Sequence, residues 1–106
     1  MKIERVKIGA HYYPVVQVTT AELDDTARWA EIDQRRHRIK VQTWERPNAA
    51  KAESLIHEIL HGLLQDAGRP PGLWDEESVV EALSPRLAAF LVDNPDAVRE
   101  LLRMLR

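Results

Sequence analysis

Apolar and polar positions follow two different rhythms along this chain. From Met1 to about Trp44 the apolar residues come in short β-branched and aromatic runs. The stretch "RVKIGAHYYPVVQV", residues 5–18, predicts two short strands, broken at Gly9 and weakened in the middle of the second by Pro14, which has no N–H for a ladder bond. In "RWAEIDQRRHRIKVQTW", residues 28–44, Ile39 and Val41 alternate with Arg38, Lys40 and Gln42. That period of two predicts a half-buried hairpin turning about Asp33-Gln34-Arg35-Arg36, in an antiparallel sheet.

After Pro47 and Asn48 the rhythm becomes helical. A helix is expected from Ala49 to about Ala67, ended by Gly68 and the Pro70-Pro71 pair. Asp75 is an N-cap, Glu76 and Glu77 occupy the first turn that follows, and Val79, Val80, Leu83, Leu87, Phe90 and Leu91 recur at helical spacing, with a bend expected near Pro85. A last helix, capped by Asp93 or Asn94, starts at Pro95 and carries an apolar stripe of Val98, Leu101, Leu102 and Leu105. Strands first and helices afterwards define an α+β domain: a short antiparallel sheet, a central helix and two further helices.

Composition narrows the possibilities. The 106 residues suffice for one domain with one core. A hydrophobic share of 44%, a charged share of 30% and the lack of an apolar run near the roughly 20 residues that span a bilayer argue against a membrane protein. The first residues, "MKIERVKIGAHYY", lack the pattern of a secretory signal, so a cytoplasmic location is expected. A net charge of −2 gives no general attraction for nucleic acid. The local exception, Arg35 to Arg38, reads as a solvated turn. With no cysteine, any metal site must be built from His, Asp and Glu.

The chemistry concentrates in "SLIHEILHGLLQ", residues 54–65. On a helical wheel Leu55, Ile56, Ile59, Leu60, Leu63 and Leu64 form one apolar arc, with His57 and His61 outside its centre and Glu58 on the adjacent polar arc. Two imidazoles four residues apart can present ring nitrogens to one Zn²⁺, and a glutamate after the first sits too far round to ligate but near enough to take a proton from an attacking water. His57 and His61 are therefore expected metal ligands and Glu58 the general base. The competing reading is a solvated polar edge. Gly62 permits close backbone approach beside the histidines, or is simply a weak point in the helix.

A catalytic zinc usually takes a third protein ligand. His11, His37, Asp66, Asp75, Glu76, Glu77 and Glu81 are the candidates, and a rigid second helix favours Glu77, at the flank of that helix's stripe. Glu81, one turn on, would orient a ligating histidine. The competing reading is that acidic residues in a first turn only complement the helix dipole. His11, Tyr12 and Tyr13 are weaker candidates for oxyanion stabilisation, and Trp29, Trp44 and Trp74 for lining a groove.

"HEILHG" followed by "EESVVEAL" resembles the gluzincin metallopeptidases, in particular small gluzincin-like proteins, some of them encoded by phages. The likeness covers roughly residues 30–95. It implies a single minimal zincin-like domain over 1–106, and zinc held by His57, His61 and Glu77, with Glu81 matching the acidic residue four positions later, where an aspartate is usual. It also implies peptide-bond hydrolysis, with a peptide or protein substrate lying along the sheet's edge strand near Ile39 to Thr43. The alternative expectation is a metal-stabilised interaction module with weak or no catalysis. In that case the apolar C-terminal helix docks a partner or a second copy, or plugs the cleft; the protein itself is expected as a monomer or weak homodimer.

Overall fold

The computed structural model describes residues 1–19, 22–23, 29–43, 46–68 and 75–106, without the side chain of Glu76. Trp44, Trp74 and the Pro70-Pro71 pair lie outside the described residues. The chain folds as an α+β domain whose order is β1 (Arg5–Ile8), β2 (His11–Val18), β3 (Ala30–Asp33), β4 (Arg38–Gln42), α1 (Asn48–Asp66), α2 (Glu76–Asp93) and α3 (Pro95–Leu105).

The four strands lie in the order β1-β2-β4-β3. Gly9 takes a φ of +60°, in the left-handed region that glycine enters without penalty, and turns β1 back on the first half of β2. There Arg5 faces Pro14 and Ile8 faces His11. The second half of β2, Val15 to Val18, pairs instead with β4, and this pairing is parallel. Pro14 marks the exchange of partners: Val15 N donates to Glu4 O at 2.8 Å, and beyond it the ladder passes to β4. The expected antiparallel sheet is thus mixed. A period of two fixes which face each residue takes but not the direction of the neighbouring strand, so the alternation at residues 38–42 was compatible with either pairing.

The hairpin β3–β4 forms as expected, with Ile32 opposite Ile39. Asp33 closes its loop by accepting from Arg35 N and Arg36 N, each at 3.0 Å, and His37 completes the reversal with φ +49°. The basic cluster is therefore a turn whose Arg36 is spent on Asp33, at 3.0 Å.

Helix α1 lies on the sheet. Its buried residues are Ala52, Leu55, Glu58, Ile59, Gly62 and Leu63, which meet Val6, Ile8, Ile39 and Val41. The buried face is rotated relative to the expected arc, so that Ile56 and Leu60 only border the core while Gly62 enters it. The cause is close approach: a Cβ on Gly62 would stand 2.7 Å from Ile8 Cδ1 and 3.0 Å from Ile32 Cδ1. Phe90 of α2 and Ala97, Leu101 and Met104 of α3 complete the core.

The two last helices bury narrower stripes than their patterns predicted. Val80, Leu87 and Leu91 of α2, and Leu102 and Leu105 of α3, are exposed. Asp75 caps α2 as expected, accepting from Ser78 N at 2.7 Å. Asn94, in contrast, spends its side chain elsewhere. Its Oδ1 accepts from Lys7 N at 2.7 Å, and its Nδ2 donates to Lys7 O at 2.9 Å and Phe90 O at 3.0 Å, so one amide ties β1 to the junction of α2 and α3.

Candidate metal centre and cleft

The polar face of α1 carries the site. His57 and His61, one turn apart, are both exposed and turn their rings towards each other, with Nε2 atoms 3.1 Å apart and ring planes inclined at 68°. Two nitrogens bound at tetrahedral angles to one zinc, each about 2.05 Å from it, stand about 3.3 Å apart. The donor chemistry and the spacing therefore fit a shared Zn²⁺; without metal the same distance suits an N–H···N bond between complementary tautomers.

Glu58 differs from both neighbours. It lies between the histidines and the sheet, only 4% exposed, yet lines the same cleft. The sequence pattern placed it on the polar arc, and rotation of α1 towards the sheet carries it to the boundary of the buried face. A general base must stand within hydrogen-bond reach of the water it deprotonates, and Glu58 lines the same cleft as the histidines.

The cleft measures about 560 Å³ and is lined by Trp29, Ala30 and Arg46 along with Ala50, Glu53, Ser54, His57, Glu58 and His61. Ala30 opens β3, the edge strand beside α1, and Trp29 directly precedes it. Here the expectation for residues 39–43 is corrected: β4 lies inside the sheet, paired with β2 on one side and β3 on the other, so the strand presenting an edge near the histidines is β3.

Arg46, Glu53 and Ser54 were not anticipated. Glu53 and Ser54 stand three or four positions before His57, on the polar arc one turn earlier, and extending the wheel backwards reaches them. Arg46 precedes the helix, and no periodic signal marks it. Its guanidinium donates from Nη1 to Gln42 O at 2.8 Å and from Nη2 to Ala50 O at 3.0 Å and Ser54 Oγ at 2.7 Å, with the Trp29 ring centroid 4.6 Å away. Burial draws its pKa below the usual arginine value.

The other sequence candidates lie apart from this cleft. Glu77 and Glu81 are exposed on α2. Among the described residues no three His, Asp or Glu side chains converge closely enough to hold a metal ion. Asp66, at the end of α1, pairs with Arg86 at 3.3 Å. His11 and His37 stack at 4.2 Å between centroids, with Tyr13 beside them donating to Gln34 Oε1 at 3.0 Å. Burial, and secondarily the Asp66 carboxylate, raise the Tyr13 pKa. Tyr12 receives Arg5 over its ring at 4.3 Å. Among the described residues no part of α2 or α3 lines the cleft, and no helix is long and apolar enough to cross a membrane.

The fold and site together define an α+β domain with a histidine-pair helix beneath a sheet edge. Comparisons with protein-family models, with curated proteins and with solved structures find no match to this chain.

Proposed function

We propose that the protein is a zinc-dependent metallohydrolase, a small gluzincin-like peptidase. One observation carries the reading: His57 and His61 bring their Nε2 atoms within 3.1 Å of each other, close to the spacing of two ligands on one zinc, in a cleft that Glu58 and the start of edge strand β3 also line. A bound zinc supplies Lewis-acid polarisation of a carbonyl and brings the pKa of its water to about 7. The chain's own part is to hold the metal through His57 and His61, to accept the attacking water's proton on the Glu58 carboxylate, and to return that proton to the leaving amine. An extended peptide laid against β3 pairs backbone to backbone while its carbonyl faces the helix.

Glu77 is proposed as third ligand, with Glu81 orienting a ligating imidazole, on the resemblance alone: both lie exposed on α2, which does not line the cleft, so they reach a metal on the histidine pair only if α2 moves towards α1. Zinc content measured on wild type, Glu77→Ala and Glu81→Ala is expected to fall most in Glu77→Ala, and equal zinc in all three would reassign the third ligand. We propose a cytoplasmic location, with which the lack of cysteine is compatible, since no disulfide is at risk of reduction there.

The decisive mechanistic experiment is Glu58→Gln. It is expected to keep zinc and to lower peptide hydrolysis by about 10²–10⁴-fold, the usual contribution of a positioned general base. Undiminished hydrolysis would sink the mechanism. The rival is a metal-stabilised interaction module with weak or no catalysis, its C-terminal helix docking a partner or a second copy; α3 packs Leu101 and Met104 into the core, does not line the cleft, and leaves Leu102 and Leu105 exposed.

A further inference from the structure

The cleft contains a cation that the hydrolytic mechanism does not use. Arg46 is half-buried, held under the ring of Trp29 and fixed at three points by Gln42 O, Ala50 O and Ser54 Oγ. All three acceptors are neutral, and among the described residues no carboxylate pairs with it. A guanidinium has five N–H donors, so among the described residues its Nε–H and one Nη1–H meet no acceptor in a cleft that Arg46 itself lines. A cation partly withdrawn from water and left without a counter-ion is a poor structural element but a good receptor for an anion, because its desolvation has already been met by the fold. Glu53 and Glu58 line the same cleft on other parts of the helix arc.

We infer that Arg46 seats a carboxylate of the peptide substrate, with Trp29 as the aromatic wall beside it. This inference names the substrate class and rests on the peptidase reading only for which bond is cut. The spacing locates that bond. Arg46 is anchored to Ser54, three residues before His57, or about 4.5 Å along the helix axis. An extended peptide advances about 3.3 Å per residue. A carboxylate on Arg46 therefore lays its one to three neighbouring residues across the histidine pair, and the substrates are short peptides or chain ends.

The test uses the full chain after chelation of metal, so that no probe is hydrolysed. Acetyl-alanyl-phenylalanine, its C-terminal amide, and acetyl-glutamyl-phenylalanine amide are titrated by calorimetry, with the Arg46 Nε–Hε resonance followed by NMR. The free acid is expected to bind at least about tenfold more tightly than the amide and to shift that resonance. Arg46→Gln abolishes the preference, and Arg46→Lys, which keeps the charge without the planar fork, retains part of it. If the glutamyl amide binds as tightly as the free acid, the seat takes acidic side chains as well as chain ends. Equal binding of acid and amide by wild type, or an acid preference surviving in Arg46→Gln, overturns the inference. The wild-type contrast decides even if the variants do not fold. Zinc content of the untreated protein separates the two readings: an acid preference without zinc binding removes the peptidase and leaves the carboxylate seat, whereas zinc binding without the preference does the reverse.

Discussion

Asp33 and Asn94 hold this fold with one side chain each. Asp33 accepts two backbone N–H groups and the Arg36 guanidinium, and these bonds, led by the Arg36 backbone, favour its ionised form and lower its pKa. A depressed carboxylate pKa stabilises the native state fully above the unfolded value near 3.9 and ceases to do so as the pH falls through the lowered native value. Asp33→Asn is therefore expected to destabilise the hairpin at neutral pH and to make little difference at the acid end, as read by urea denaturation at both pH values. Asn94, almost fully buried, answers both polar groups of Lys7. Asn94→Ala leaves them unpaired and is expected to cost about 1–3 kcal/mol. Asn94→Asp keeps the acceptor for Lys7 N but opposes a carboxylate to two carbonyl oxygens, so its loss at neutral pH should shrink on acidification. A neutral-pH stability equal to wild type in both variants would remove this bridge from the account.

At the scale of elements, the packing of α1 on the sheet governs the site. Gly62 sits beside His61 in sequence but faces Ile8 and Ile32 in space, so its missing side chain serves close packing of helix on sheet and not access to the histidines. Gly62→Ala gains helix propensity of about 1 kcal/mol and meets two methyl groups at 2.7 and 3.0 Å, so the two effects nearly cancel. Gly62→Val adds branched volume in the same place and is expected to cost about 1–3 kcal/mol; denaturant midpoints of the two variants check the difference. The same packing explains what the helical wheel misjudged. Hydrophobicity alone centred the buried arc between Leu55 and Leu64, whereas a glycine, an alanine and a glutamate lie on the buried face because the sheet approaches most closely there. In α2 and α3 the reverse holds: leucines and valines with helical spacing remain exposed, since each helix is covered along one edge only.

For the molecule as a whole, the proposed zinc site predicts that metal binding and folding are linked. A ligand that binds only the native state stabilises it by about 2.7 kcal/mol at a hundredfold excess over its Kd, a rise of roughly 10–20 °C in Tm for a domain of this size. Thermal denaturation with zinc and with chelator is expected to show that difference in wild type and to lose it in His57→Ala. A Tm indifferent to zinc in wild type would return the histidine pair to a solvated edge.

The sequence by itself determined the local properties. Period-two and helical patterns located the strands and the three helices, Asp75 announced the α2 cap, and the spacing of His57 and His61 placed both imidazoles on one helix edge, because all of these depend on neighbours within a turn or a pleat. The tertiary structure decided what depends on residues distant in the chain. It set the parallel partner of β4, the choice of β3 as the edge beside the cleft, the burial of Glu58 and the arrival of Arg46 under Trp29. None of these leaves a periodic trace, since each is fixed by how the sheet and α1 pack together and not by the pattern along either one.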